Sequence, residues 1–514
     1  MNNLKESLRF TNKMGISSDI VNETRNNTKV IITADKKEVL NYSTQIMLEI
    51  STNILARIFP NIEIDVEDVP AKHLNTSKNL YSHLIKTKNE AYKWNQAKGE
   101  TQNYIYLVVG NKKVSEKAIY IDANGWLAYV GNKPSNIEKK DIRIPIGSVA
   151  SACLGAAEIF KLIFNKKIKK DFNLIENIIF NTLTYKFDDE TNIPVDQLNL
   201  DRVSLFGSGS VGSSLLYTLG FMPNVSGTID IVDRDPNIDI NNMQRYSYLN
   251  LSDLEKNQSL SKAKWAANKI DSDLENLKVN YWDKSQGTVS NYLNSRPLKP
   301  GIKLAISAVD NINARIEIAD CLAERTINAG TGDVTLTITR HGFSDGKACL
   351  ACDYISNIPS RNWYQKVSRE TGLSVGRVAQ LLQGGEVLVE DDIKMMINKR
   401  FIEKEKKNKL LNTDLNSIVN RKLYSSVSID NKNSTESSVT APFVSTMSGA
   451  LLTGEMIKEI AGLQGNWKKN KFRMDMLIGN SLSTSVPKAG IKCLCANNFR
   501  KQSYENLWDG TDNI

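Results

Sequence analysis

The residues of this chain that can do chemistry fall in one ordered series. Gly207-Ser208-Gly209-Ser210-Val211-Gly212 reads G-x-G-x-x-G, and Asp233 stands 21 residues after its last glycine. Arg245 follows in N-M-Q-R and Lys264 in S-K-A-K-W, and Asp310 closes the series in A-V-D-N, with Arg315 about one turn further on. Glycines in such a loop permit a tight turn and let backbone N–H groups approach a phosphate at the positive end of a helix. A carboxylate at the end of the next strand accepts hydrogen bonds from a ribose. To that point the pattern suits a dinucleotide as well as a nucleoside triphosphate, and the later residues separate the two. A dinucleotide has no use for Arg245, Lys264 and Asp310 around its phosphates. A triphosphate does: cations neutralise the transferring group and the leaving pyrophosphate, and a carboxylate holds Mg2+. ATP with Mg2+ is the expected ligand.

The cysteines form a second constellation. Cys349-Leu-Ala-Cys352 and Cys493-Leu-Cys495 are two knuckles 144 residues apart. Four thiolates match a tetrahedral zinc ion, Zn2+, which would tie the far end of one domain to its C-terminal tail. Cys153 and Cys321 lie among small or apolar residues in S-A-C-L-G-A-A-E and I-A-D-C-L-A-E-R, so they read as core residues. Six cysteines in 514 residues are too few for a disulfide scaffold. The three histidines, His73, His83 and His341, read as structural.

The hydropathy pattern supplies elements to position these groups. Val203–Phe206 is a short apolar strand, followed by the glycine turn and a helix over Val211–Leu219. Thr228–Val232 and Lys303–Ser307 are further strands, and the alternation of strand and helix predicts a parallel, doubly wound α/β sheet. Upstream, residues 37–57 place Leu40, Met47, Ile50 and Ile54 at helical spacing. Ile62, Ile64 and Val66, then Tyr104–Val109 and Ala118–Asp122, read as strands, with a turn at Gly125 and Trp126 and a long helix over 145–164. This first part carries no glycine-rich phosphate loop. Past Asp353 the pattern turns helical: Val375–Gln383 behind a Ser374 cap, then Asp391–Lys407, separated by Gly384 and Gly385. The sheet pattern resumes with a helix over Pro442–Ile460, stopped at Gly462, and a strand near Phe472–Ile478.

Glycine loop, D-x-D, N-x-x-R, downstream Lys and A-x-D-N, in this order, resemble the ThiF and ubiquitin-activating enzyme superfamily. The resemblance covers roughly 196–352 and 440–500. It implies a Rossmann-like domain that binds ATP and Mg2+ and adenylates the C-terminal glycine of a ubiquitin-like protein. Carried over by motif, Gly207, Gly209, Gly212 and Asp233 would bind the nucleotide, Asp233 holding the ribose. Asn242, Arg245 and Lys264 would meet the phosphates and Asp310 the magnesium. The loop after Asp233 is one residue longer than usual, which leaves Asp235 and Asn241 as alternatives. No histidine is needed, because a carboxylate is already a nucleophile and pyrophosphate already a competent leaving group. Paired cysteines of this kind occur in ThiF-like proteins.

Activating enzymes of this kind often pair an active domain with an inactive one. Residues 1–195 are read as the degenerate, inactive adenylation-like domain, 196–352 plus 442–514 as the active domain, and 353–441 as a helical insertion. The whole resembles the activating enzyme of bacterial ubiquitin-like conjugation operons linked to phage defence, with a conjugating enzyme as second partner. Such enzymes usually carry a cysteine in the insertion, and this one has none. Either the reaction stops at the adenylate or passes to a partner's thiol, or Ser425 or Ser426 replaces the cysteine, or a natural cysteine has been substituted. A serine would need a base nearby. Other readings are a ThiF-type sulfur-carrier or peptide adenylyltransferase, an NAD-dependent oxidoreductase and a scaffold without turnover.

Composition sets the outer bounds. Hydrophobic residues make up 41%, charged residues 24% and aromatic residues 7%, which are globular proportions. No run reaches the 18 or so apolar residues of a membrane span, and the N-terminus lacks the apolar stretch of a signal peptide. A cytoplasmic location is expected, without membrane partners. The formal net charge of +9 is modest and mixed in sign, which suits an acidic protein or a polyphosphate and does not single out nucleic acid. The basic stretch 399–409 is a candidate surface for a conjugating enzyme or for the acidic face of the modifier.

Overall fold

The computed structural model describes residues 18–73, 78–92, 103–164, 173–256, 260–297, 299–355, 361–383, 386–399, 401–402, 410–413, 415–419, 440–463, 469–490 and 493–508. Two sheets dominate it. The first holds β1 (Thr28–Ala34), β2 (Ile62–Asp65), β3 (Asn103–Val109), β4 (Ala118–Asn124), β5 (Leu127–Gly131), β6 (Asn177–Asn181) and β7 (Lys186–Phe187), in the order β2-β1-β3-β4-β5-β6-β7. The second holds β8 (Leu198–Phe206), β9 (Val225–Asp233), β10 (Leu277–Asp283), β11 (Leu304–Ser307), β12 (Arg325–Thr331), β13 (Thr335–His341), β14 (Lys471–Asp475) and β15 (Ser481–Thr484). Its order is β10-β9-β8-β11-β12-β13-β14-β15.

The two sheets repeat one plan. In the first, β2-β1-β3-β4 pair in parallel and β4 to β7 antiparallel. In the second, β10-β9-β8-β11-β12 pair in parallel and β12 to β15 antiparallel. Setting β10 aside, β1 matches β8, β2 matches β9 and β3 matches β11. Each sheet therefore reverses its winding beside its leading strand, between β1 and β3 and between β8 and β11. In such sheets ligands bind outside the carboxyl ends of the strands at that switch point.

The sheets are joined through helices. Helix Pro442–Ile460, with proline preorganised at its first turn, is buried along almost its whole length. A Cβ on Gly449 would stand 2.5 Å from the Ser214 Cβ, so glycine lets this helix lie directly on helix Ser210–Gly220. Its other side meets the first half: Lys458 Nζ donates to the Thr182 carbonyl at 2.7 Å, and Gly454 faces Trp126 and Ile146. Helix Ile146–Phe164 corrects one expectation. By length and composition alone it is apolar enough to cross a membrane, but 89% of its most apolar stretch is buried inside the fold, as in a core helix.

The chain divides into two compact units, one formed by Met1–Asp353 with Ser438–Ile514 and the other by Tyr354–Ser437. The second unit has its own core around Val367, Leu373, Val378, Ile393 and Met396. Within it, Arg377 grips Asp392 with two hydrogen bonds of 3.0 and 2.8 Å. The helix expected over Asp391–Lys407 begins at Glu390 and ends at Asn398, where the Phe401 N–H turns back to the Met396 carbonyl and Phe401 and Ile402 are buried. Burying two apolar side chains outweighs continuing an exposed basic helix. The strand expected near Phe472–Ile478 is β14, which stops earlier, at Asp475, and pairs with β15 from Ser481. Ser425, Ser426, Gly384, Gly385 and most of 399–409 lie outside the described residues.

Candidate functional site: the ends of β9, β8 and β11

Three adjacent parallel strands end side by side here. The register pairs Phe206 with Val232 on one side and with Ser307 on the other. Gly207, Asp233 and Ala308 are thus neighbours at the switch point of the second sheet. Gly207 has φ +92°, and a Cβ on it would come within 2.8 Å of the Ala308 carbonyl oxygen. A Cβ on Gly212 would meet the Gly207 carbonyl oxygen at 2.0 Å. Only glycine fits at either position, because the turn folds back onto its own helix. Gly209 is the residue before that helix, and its surroundings are open apart from the Tyr246 hydroxyl, 3.5 Å from where a Cβ would stand. The helix N-terminus aims unpaired N–H groups into the crevice.

Asp233 ends β9 as expected, and the loop holds it. Its Oδ2 accepts from the Ser208 N–H at 2.7 Å and the Ser208 hydroxyl at 3.0 Å, and its Oδ1 accepts from the Asp235 N–H at 2.9 Å. Burial pushes this carboxyl above the ordinary aspartate range, with the two backbone N–H groups pulling the other way. A carboxylate offers about four acceptor positions, so one remains on Oδ1 for a further donor. Asp235 pairs with Lys262, which also lies 5.7 Å from the centre of the Tyr246 ring.

The N-x-x-R segment follows a short 3-10 turn, Ile240–Asn242. Asn242 is buried and uses its Oδ1 to accept from the Asp239 N–H at 3.0 Å, whereas Asn241 is exposed. Arg245 packs its guanidinium 5.9 Å from the Tyr246 ring centre, and its Nε is buried without a hydrogen-bond partner. Lys264 is half-buried in the first turn of helix Lys262–Asp273, where Ser261 caps the backbone, and it forms no ion pair among the described residues. Asp310 is exposed just past β11, and Asn311 caps the helix that follows by accepting from the Asn313 and Ala314 N–H groups at 2.8 and 3.2 Å. Arg315 donates to the Val309 carbonyl at 2.5 Å, bracing that turn from below.

One support has no sequence signal. Arg57, fully buried in helix Tyr42–Ile58 of the first half, donates to the carbonyls of Met243, Ser247 and Leu249. Asn53, one turn earlier, donates to the Ser247 carbonyl at 3.0 Å and accepts from Arg57 Nε at 2.8 Å. On the other side, the Ser445 hydroxyl donates to the Arg245 carbonyl at 2.9 Å. The segment that carries Asn242 and Arg245 is therefore clamped by the first half and by helix Pro442–Ile460.

The cysteines converge as a separate centre. The Sγ atoms of Cys349, Cys352, Cys493 and Cys495 give contacts of 3.9, 3.5, 3.3 and 3.6 Å. Thiolates about 2.3 Å from one tetrahedral ion stand about 3.8 Å apart, so the four could hold a metal. His341 steadies the approach, its Nδ1 lying 2.9 Å from the Ala348 carbonyl. Cys153 and Cys321 are buried, and burial pushes the first thiol far up and the second to about 12, so neither is a ready thiolate. A cavity of about 420 Å³ lined by Phe59, Ile62, Lys88, Tyr92 and Leu251 contains none of the strand-end residues.

A family profile described as the ThiF family matches residues 181–495, more than half of the chain. The chain belongs to the ThiF family. Members of this family have the adenylyltransferase-like α/β fold seen here. A curated relative is 23% identical over 491 residues, covering 91% of this chain and 90% of its own length: the uncharacterized protein y4jF of Sinorhizobium fredii (strain NBRC 101917 / NGR234). Similar solved structures include E. coli MccB with ATP, at 13% identity and TM-score 0.36, covering 58% of this chain and 67% of that one. Another is selenomethionine-labelled PaaA, at 16% identity and TM-score 0.32, covering 56% and 73%.

Proposed function

We propose that this ThiF-family protein is an ATP-dependent adenylating enzyme that activates the C-terminal glycine of a ubiquitin-like protein and hands it to a conjugating enzyme. The observation that supports it most is the meeting, at one switch point, of a glycine turn and a strand-end carboxylate with an acceptor position still free. The residues fit a magnesium-bound triphosphate. Gly207 and Gly212 let the turn fold back onto its own helix, Gly209 faces open space apart from the Tyr246 hydroxyl, Arg245 Nε is buried without a hydrogen-bond partner, and Lys264 forms no ion pair among the described residues. Gly207, Gly209 and Gly212 would lie along the phosphates, Asp233 would hold the ribose, and Asn242, Arg245 and Lys264 would meet the phosphate oxygens. Asp310 would hold Mg2+, which when bound neutralises phosphate charge.

In the reaction a carboxylate oxygen of the modifier attacks the α-phosphorus of ATP. The bond to the β-phosphate bridging oxygen breaks, giving an acyl adenylate and pyrophosphate. No proton has to move, so positioning and charge stabilisation carry the rate. The first half, 1–195, would serve as the inactive partner domain, and 353–441 as the insertion facing the conjugating enzyme. The four cysteines would bind zinc and fix the tail. A cytoplasmic place in bacterial antiviral conjugation is the setting this reading suggests.

The lack of any cysteine in 353–441 favours a second reading, a sulfur-carrier or peptide adenylyltransferase that stops at the adenylate. ATP–pyrophosphate exchange tests the shared chemistry. Exchange that depends on a Gly-ending protein, and that Asp310→Ala abolishes, is the expected result; NAD binding without exchange would refute both readings. Mass spectrometry after incubation with modifier and ATP separates them: an adduct resistant to thiols but cleaved by hydroxide assigns a serine ester, and no adduct assigns release at the adenylate.

A further inference from the structure

A second group of metal-type ligands lies in the first half. Glu49 from helix Tyr42–Ile58, His73 from the loop after β2 and His83 from helix Leu80–Ala91 bring one ligand atom each within 4.8 Å of the others. His73 Nε2 and His83 Nε2 stand 2.6 and 2.7 Å from the same oxygen, Glu49 Oε2, while Glu49 Oε1 accepts from the Tyr217 hydroxyl at 2.5 Å. The group is buried, with His83 the most accessible at 15%.

Hydrogen-bond bookkeeping shows that a plain neutral network cannot fill it. Gln45 Nε2 donates to the Val39 and Pro70 carbonyls at 2.9 and 3.0 Å, which fixes Gln45 Oε1 as the acceptor end of that amide. That oxygen takes the His73 backbone N–H at 3.1 Å and stands 3.0 Å from His73 Nδ1. Nδ1 must therefore carry a hydrogen, and in the neutral ring Nε2 then presents a lone pair to the lone pairs of Glu49 Oε2. A cation has to lie between them, either a proton or a metal ion.

Two observations favour the metal, the donor set and the held His73 ring, and the contacts would have to open only slightly to admit it. Two imidazoles and a carboxylate from three separate stretches of chain bring their ligand atoms within 4.8 Å of one another, as donors around one ion do. Ligand atoms about 2.1 Å from an ion stand about 3.0 Å apart at adjacent octahedral corners, a few tenths of an ångström more than the two contacts here. His73 is held through its far nitrogen by a carbonyl oxygen, the arrangement that orients metal-bound histidines.

We propose that Glu49, His73 and His83 form a divalent transition-metal site of the two-histidine, one-carboxylate type, separate from the four cysteines. Through Tyr217 it would fasten the first half to helix Ser210–Gly220, the helix that begins at the glycine turn. The proposal does not depend on the nucleotide reading. The test uses the full chain reconstituted with zinc, counting the metal and reading its neighbours by X-ray absorption. Two zinc ions per chain are expected, with a nitrogen and oxygen shell beside the sulfur shell. His83→Gln and Glu49→Gln should each remove one equivalent and the nitrogen shell, whereas Cys493→Ser combined with Cys495→Ser should leave that shell in place. A wild-type chain without a nitrogen shell overturns the proposal and assigns the cation on His73 to a proton, with no need for any variant to fold.

Discussion

The two halves of the molecule wind their sheets alike and treat the switch point in opposite ways. In the second half the turn after β8 is built on glycines, and Arg245 and Lys264 form no ion pair among the described residues. In the first half β1 runs into Asp35-Lys36-Lys37-Glu38, and Glu38 fills the matching place. A Cβ on Gly110, just past β3, would stand 1.4 Å from Glu38 Oε2, and the Asn111 N–H donates to that same oxygen at 3.3 Å. Beside it Asp122 pairs with Lys139. Burial pushes the Glu38 carboxyl upward, while Lys139 pulls it back. One half closes its turn with glycines and the other fills the matching place with a carboxylate. A shared topology thus sets where a ligand can go, and a few side chains decide whether one does.

The comparison can be broken most sharply at its cations. Arg245→Ala should lower ATP–pyrophosphate exchange by about 100-fold or more, the usual loss for one transition-state contact, while Lys139→Ala in the first half leaves exchange within about twofold. Next comes the glycine cradle. Gly212→Val should abolish nucleotide binding in equilibrium dialysis, because its side chain collides with the Gly207 carbonyl. Glu38→Gln should leave binding at one nucleotide per chain, and two per chain would sink the idea that the first half is closed. Asn53→Ala tests the clamp. Removing a hydrogen bond to a buried carbonyl costs about 1–3 kcal/mol of stability, read from urea midpoints. If the clamp positions Arg245, KM for ATP should also rise several-fold with kcat nearly constant. The smallest effect is expected at the tail. Cys493→Ser should lose the sulfur-bound metal and expose helix Asn498–Trp508 to protease, with exchange unchanged.

The parts legible in the sequence are those in which chemistry and spacing are local. An apolar strand, three glycines and a helix pattern announce the β8 turn within a dozen residues, and the Cys-x-x-Cys and Cys-x-Cys spacings announce the sulfur centre across 144 residues. Ser208 is not legible as a partner of Asp233, since a serine inside a glycine loop carries no mark of which side chain it will meet. Arg57 is invisible for a related reason: its partners are carbonyls 186–192 residues away, and every residue has a carbonyl. Glu49, His73 and His83 stand apart in the sequence, and only folding brings them together. A helix over 391–407 reads too long because charged helix formers continue the pattern, while tertiary burial of Phe401 and Ile402 ends it.

The route of the chain around residues 354–437 has a practical consequence. The main unit is left at Asp353, which is anchored by Lys471 of β14 at 2.9 Å, and re-entered at Ala441, whose N–H bonds the Asp333 carbonyl at 3.1 Å. β13 and β14, on either side of the excursion in sequence, are paired directly. Both splice points are thus pinned to the sheet and its β12–β13 turn, so the helical segment is expected to behave as a cassette. A short linker in its place should leave a chain that still folds and still exchanges pyrophosphate, and whatever recognition the cassette confers could be transplanted with it.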